Sequence, residues 1–386
     1  MKSGRHFLQI PGPTNTPDRI QRAMHRAVID HRGPKFAELG RSILEDLKAV
    51  FKTQNQVVIY PASGTGAWEA ALVNVLSPGD KVLMYETGQF ATLWKNMAQK
   101  LGFDPVFMQG NWRTGANAEA IEAQLTADTD HKIKAVCVVH NDTATGITSD
   151  IAAVRAAIDT AGHPALLIAD TISSLGSIDF QTDAWGVDVV VAGSQKGLML
   201  PPGLSFNTIS PKAWAACEAG GDRRSYWDWR DMAAPNEQGF FPYTPATTLL
   251  YGLREALDML AEEGLQAVFD RHARHAGATR KAVDAWGLNI LASNPAERSN
   301  SLTAVLMPHE KGANALRAEI LDSYDMSLGT GLNKVEDRVF RIGHLGDFND
   351  LMLMGTLCGV EMGLMRAKVD FQRGGAQAAM EYLAGA

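Results

Sequence analysis

Cysteine is scarce in this 386-residue chain, with three residues, at 137, 217 and 358, odd in number and far apart. No CxxC or other metal-ligand spacing links them, which argues against a disulfide scaffold and against a metal site. Cys137 falls inside an apolar stretch and reads as a buried structural thiol. Positive charge is also in short supply. The chain has 36 Lys and Arg against 43 Asp and Glu, a net charge of −7, and no basic run that would serve a nucleic-acid partner. No apolar stretch approaches the ~20 residues needed to cross a bilayer, and the first residues carry no apolar h-region. The expected location is therefore the cytoplasm, with no membrane partner. What is left, 46% hydrophobic and 20% charged residues, is ordinary globular composition with length enough for two domains and a large core.

The most telling stretch is Gly193-Ser194-Gln195-Lys196-Gly197, where a lysine follows the apolar run 187–192 just before Pro201-Pro202-Gly203. An ammonium ion is costly to hold in an apolar setting. The position makes sense if the amine is neutralised in an imine, as when lysine carries pyridoxal phosphate. Taken alone, the pentapeptide fits a surface lysine at a strand end equally well. About 26 residues upstream, the apolar run 165–170 ends in Asp170, the pattern of a buried parallel strand closing on a carboxylate. Open α/β sheets place ligands at such ends, and a carboxylate there can hold a pyridine nitrogen protonated. A lone strand-end aspartate is more often a turn former; the Asp and Lys together are the sharper signal.

A phosphate site is expected beside them. Pro61-Ala62-Ser63-Gly64-Thr65-Gly66 follows the apolar run 57–60 and opens the helical stretch 67–76, and free N–H groups at such a turn attract phosphate. Neither the P-loop nor the dinucleotide fingerprint is present.

Strands and helices alternate from about residue 55 to 210. Candidate strands are 57–60, 81–85, 106–108, 135–140, 165–170, 187–192 and 205–209. Helical patterns at 90–101, 118–125 and 151–161 lie between them, two of them stopped by Gly102 and Gly162. The fold class expected is α/β: a mainly parallel seven-stranded sheet flanked by helices, plus a smaller C-terminal α+β domain. From 247 to 286 the pattern turns helical, and strands follow near 302–306 and 339–342. The expected division is an N-terminal arm at 1–20, a large domain at 21–264 and a small domain at 265–386. Residues 219–245, rich in Gly, Asp, Arg, Trp and Pro, read as a long excursion without an element of their own.

With these pieces placed, the chain resembles the class V (fold type I) pyridoxal-phosphate aminotransferases, in their serine–glyoxylate and alanine–glyoxylate branch. The resemblance is carried by Pro11-Gly12-Pro13-Thr14-Asn15, the Ser63-Gly64-Thr65 turn, His140-Asn141-Asp142-Thr143-Ala144-Thr145-Gly146, Asp170 before Ser173-Ser174-Leu175-Gly176, the Lys196 pentapeptide, Phe241-Pro242-Tyr243-Thr244-Pro245 and Arg341-Ile342-Gly343-His344. It runs from about residue 8 to past 365.

The resemblance implies pyridoxal 5'-phosphate as cofactor, with Lys196 as Schiff-base lysine and proton shuttle and Asp170 at the pyridine nitrogen. Ser63, Gly64 and Thr65 match the phosphate turn with Gln195 beside it, and Thr143 matches a ring-oxygen contact. Phe90 falls where the family stacks an aromatic on the ring, though it also suits the core face of an amphipathic helix. Arg341 matches the residue that grips the substrate α-carboxylate, since a guanidinium fork fits a carboxylate bidentately; otherwise it is a charge at a strand edge. Tyr243 and Thr244 resemble the segment by which a neighbouring subunit reaches the phosphate, which implies a homodimer with shared sites. Their plainer role is a Pro-flanked turn, with Thr244 capping the helix near 247. His31-Arg32-Gly33 fits a near-site segment or a solvated turn.

The activity implied is ping-pong transfer of an amino group from a small amino acid, serine favoured, to the 2-oxo acid glyoxylate, through pyridoxamine phosphate. Alanine and aspartate remain open as donors, the latter because Arg223, Arg224 and Arg230 in the excursion could hold a second carboxylate. A desulfurase would need a cysteine in a mobile Gly/Ser-rich loop, and none of the three is so placed. A non-catalytic binding module would have lost the lysine or the aspartate, and both are present.

Overall fold

Side-chain alternation explains the middle of the molecule. The strands Leu166–Asp170 and Val189–Gly193 are buried along their whole length. Leu167, Ala169, Val190 and Ala192 enter one apolar layer, while Leu166, Ile168, Val189 and Val191 enter the other. A strand covered on both faces needs both sets apolar, so it reads as an unbroken apolar run. Fully burying one such Val, Leu or Ile contributes roughly 1.5–3 kcal/mol, which makes these two strands the best anchored part of the sheet.

The computed structural model of the chain describes residues 4–220, 224–308 and 311–385. Its larger sheet has seven strands in the order Gln56–Tyr60, Ser205–Ile209, Val189–Gly193, Leu166–Asp170, Ile133–Val139, Lys81–Tyr85 and Asp104–Met108. Only Ser205–Ile209 runs against its neighbours; the other pairings are parallel. Helices cover both faces. Several start on side-chain caps, as where Asn117 accepts from the Ala120 amide and Asp150 from that of Ala153. Gly102 and Gly162, just past the helices Gln89–Lys100 and Ile151–Thr160, take φ of 83° and 58°, a conformation that glycine adopts without steric cost.

The helical stretch after 247 is two helices, Thr247–Glu263 and Leu265–Ala285, parted at Gly264. A second sheet of five strands follows, in the order Phe7–Gln9, Met326–Thr330, Val339–Gly343, Leu302–Leu306 and Asn289–Ile290. It has an apolar cluster of its own around Trp286, Phe340 and Leu357. Phe7–Gln9 pairs in parallel with Met326–Thr330, so the start of the chain is built into the last sheet.

One expectation is corrected. The 219–245 excursion contains the helix Trp229–Glu237, which the Asp228 carboxylate starts by accepting from the Arg230 amide. Pro235 inside it hid the pattern, because proline removes an N–H and normally ends a helix. Among the described residues no helix is long and apolar enough to cross a membrane.

Candidate active site

Parallel pairing brings together what the sequence separates. Asp170 closes its strand level with Val191 of the next one, and Lys196 lies three residues beyond the end of that strand. Both side chains are buried, at 3% and 6% exposure. Lys196 Nζ donates to the Pro11 carbonyl and to Thr143 Oγ1, the latter at 3.3 Å. Gly12, at φ 111°, lies against the lysine stem, and any Cβ there would collide with it.

Burial sets the protonation of this pair. The loss of water, reinforced by the Arg341 charge, lowers the Lys196 ammonium to about 7, against the pull of Asp170 and Asp142. Burial also raises Asp170 to about 7, opposed by hydrogen bonds from the Ile172 amide (2.7 Å) and the Trp68 indole N–H (2.9 Å). An amine and an acid both poised near neutrality suit proton transfer.

Ser63, Gly64, Thr65, Phe90, Thr143, Asp170, Gln195 and Lys196 all line one cavity of about 230 Å³. Wider clefts elsewhere, such as that between Arg41, Glu45, Lys48 and Glu237, contain no such buried pair. The helix Gly64–Val75 opens at the cavity. Ser63 at its N-cap does not use its side chain as a cap, and among the described residues no protein acceptor meets the first amides, those of Gly64 and Thr65. Gln195 turns toward the same end, its Oε1 buried without a partner. Unmet N–H groups at a helix start suit a phosphate; the unmet Gln195 oxygen calls for a donor, so only the Gln195 amide NH2 could serve the phosphate. The donor set thus fits the aldehyde-, pyridine- and phosphate-bearing cofactor expected from the sequence.

Arg341 lies beside this lining rather than in it. It is 7% exposed on the strand Val339–Gly343, with Nε donating to Thr330 O (2.7 Å) and Nη1 to Thr143 O (2.6 Å). Burial lowers its pKa to about 10, against the attraction of Asp142. Thr143 therefore joins the two sheets, its hydroxyl on the lysine and its carbonyl on the arginine.

Tyr243 and Thr244 do not reach the cavity of their own chain. Tyr243 donates to Ile59 O (2.7 Å) and stacks on Tyr226. Thr244 is exposed, and the helix Thr247–Glu263 has Ala246 at its N-cap with no side-chain cap. The expected capping by Thr244 is therefore wrong, because the helix starts two residues too late. The excursion's arginines are also occupied. Arg224 donates to the carbonyls of Cys217 and Asn74, and Arg230 pairs with Asp228 at 2.6 Å; Arg223 lies outside the described residues. His31-Arg32 forms a turn away from the cavity, with Arg32 exposed.

Two functional candidates went unread in the sequence. Trp68 looks like a core residue of an apolar helix, and only its N–H contact marks it. Asp142 lies within a quoted motif without a role. It is buried, accepts from the amides of Ala144 (2.9 Å) and Ala91 (3.4 Å), and is raised to about 6 by burial.

A mainly parallel seven-stranded sheet that carries a buried lysine, a buried aspartate and an open helix start at its carboxyl ends defines an enzyme of the fold type I class. Comparison with known proteins narrows this: the aminotransferase class-V family model matches residues 14–341, and the chain belongs to that family and is an aminotransferase. It is 51% identical to a serine–glyoxylate aminotransferase of Methylorubrum extorquens, over 99% of this chain and 97% of that protein. It is 46% identical to an L-aspartate–glyoxylate aminotransferase of Paracoccus denitrificans, over 97% and 95%. Among solved structures, ureidoglycine–glyoxylate aminotransferase from Bacillus subtilis superposes with a TM-score of 0.92 at 26% identity, covering 100% of this chain and 99% of that one. The family implies pyridoxal phosphate as cofactor.

Proposed function

We propose that this aminotransferase holds pyridoxal 5'-phosphate in the Asp170–Lys196 cavity and moves an amino group from serine to glyoxylate, giving hydroxypyruvate and glycine. The observation that carries it is the buried amine and acid facing one cavity beside the open helix start, in a chain 51% identical to a serine–glyoxylate enzyme. Bound there, the cofactor supplies an electrophilic aldehyde and a ring that draws electrons from the substrate Cα. Ser63, Gly64, Thr65 and Gln195 would hold its phosphate, Phe90 would cover the ring, Thr143 would meet the ring oxygen, and Asp170 would keep a proton on the ring nitrogen. Lys196 Nζ, its pKa brought down to about 7, is the group to take the proton from the substrate Cα. Arg341 would grip the α-carboxylate and orient the Cα–H bond.

We further infer a homodimer in which Tyr243 and Thr244 serve the neighbour's phosphate, which accords with neither lining the cavity of its own chain. Serine is favoured over aspartate as donor because Arg224 and Arg230, the described arginines of the excursion, are committed within their own segment, and because the chain is 51% identical to a serine–glyoxylate enzyme against 46% for an aspartate–glyoxylate one. A donor screen with glyoxylate fixed tests this: kcat/KM should be highest for serine among serine, alanine, aspartate and glutamate. A higher value for aspartate would overturn the assignment.

A further inference from the structure

Trp68 carries the inference that goes beyond these roles. It follows the Ser63–Thr65 turn on the helix Gly64–Val75, is 2% exposed, and lines the same cavity as Lys196. Its Nε1–H donates to Asp170 Oδ2 at 2.9 Å, while the Ile172 amide donates to Oδ1 at 2.7 Å. The two carboxylate oxygens are thus each held by one donor, and neither donor can accept a proton in return. An indole N–H has one direction only, so it fixes where Oδ2 sits, and the Ile172 amide on Oδ1 restrains rotation of the carboxylate about that contact. That ring is itself fixed: it stacks on Trp94 with centroids 5.7 Å apart and planes 13° from parallel, and Phe90 meets it at 6.4 Å and 59°. Trp94 is fully buried and cannot give way.

We propose that Trp68 is a positioning residue that acts through Asp170, its indole N–H fixing the orientation of the carboxylate that faces the cofactor's ring nitrogen. This rests on the proposal that the cavity takes pyridoxal phosphate. Because Trp68 packs beside Phe90, the wall over the ring and the acid at its far end are held by one side chain. Losing the N–H leaves Asp170 Oδ2 buried with one donor fewer, so the carboxylate is free to turn and binds protons more readily.

The test compares wild type with Trp68→Phe, which keeps the aromatic ring and removes the donor. Three quantities are measured on purified protein: cofactor Kd by fluorescence quenching, the pH dependence of the bound cofactor's visible absorbance, and kcat with KM for serine. The expected result is a Kd about 10-fold weaker, a kcat about 10-fold or more lower with KM changed less than about 3-fold, and a displaced absorbance titration, in line with loss of a hydrogen bond to a charged group. In an Asp170→Asn background the same change should cost less than about 2-fold, because the charge that Trp68 orients is gone.

If Trp68→Phe folds poorly, 3-benzothienylalanine incorporated at position 68 keeps the bicyclic shape and replaces only the N–H. Kd, kcat and absorbance titration all within about 2-fold of wild type would overturn the proposal. So would a fully additive effect with Asp170→Asn, which would mark Trp68 as packing only. Failure of the wild type itself to bind the cofactor would instead overturn the reading of the cavity.

Discussion

The cavity around Lys196 and the histidine cluster around His272 and His344 are buried to the same degree, and burial perturbs both, yet they differ in kind. At the cavity, amine and acid oppose each other across open space, so Lys196 and Asp170 both settle near 7. In the cluster, the polar contacts of His272 and His344 suit a neutral ring. His272 sets Nδ1 against Val268 O (2.7 Å) and accepts the Gly346 amide on Nε2 (3.1 Å), and His344 Nε2 lies 3.0 Å from Thr303 Oγ1. Without a facing carboxylate, burial lowers His272 to about 3 and His344 well below its usual value. His275, at the rim beside Asp350, is lowered as well. Desolvation, helped here by the charges of Arg271 and Arg280, therefore yields inert groups; reactive ones need an opposite charge and room for a ligand.

The largest effect is expected at the lysine. Lys196→Ala should reduce turnover by ~10⁴-fold or more, the upper end for a proton-transfer group, while pyridoxal phosphate still binds through the phosphate turn and Asp170. Steady-state assay with absorbance of the dialysed protein checks both, and near wild-type turnover would refute the assignment. Asp170→Asn keeps the shape and removes the charge; a loss of at least ~100-fold in the proton-transfer step is expected by single-turnover kinetics. An unchanged rate would make Asp170 structural.

Arg341→Ala removes a charge-assisted contact worth about 1.5–3 kcal/mol. kcat/KM should fall roughly 10- to 100-fold for every donor and acceptor, with little change in cofactor absorbance, and Arg341→Lys should restore only part. Uneven losses among substrates would place Arg341 at the side chain rather than the carboxylate.

The histidine side of the comparison predicts a smaller effect on stability alone. His272 titrates near 6.5 when unfolded and about 3 when folded. Between these values the unfolded chain binds the extra proton, so stability is intact above pH 6.5 and is lost as pH falls toward 3, by up to ~1.4 kcal/mol per pH unit. His272→Gln, which cannot charge, should flatten the slope of unfolding free energy between pH 6 and 4. An unchanged slope would assign acid sensitivity elsewhere, with fully buried His140 the next group to test.

Much of the fold and site is legible in the sequence. Lys81–Tyr85 and Ser205–Ile209 lie where apolar patterning put them, and eight of the expected site residues share a cavity. The misses are of one kind. Phe7–Gln9 is too short to announce its partner, Pro235 masked a helix, and Thr244 looked like a cap two residues before the helix begins. Trp68 and Asp142 showed only their apolar or motif context.

Which segments are buried, and which strand ends carry an amine, an acid or an open helix start, can be read along the chain, because alternation, glycine placement and isolated charges are local properties. What those groups face is set by the packing of distant segments. Parallel pairing set Asp170 beside the lysine strand, the Thr143 carbonyl tied Arg341 from one sheet to the cavity of the other, and the Trp68 N–H found a carboxylate 102 positions away. Such contacts depend on where two distant backbones meet, and hydrogen-bond direction within a packed core has no counterpart in the order of residues along the chain.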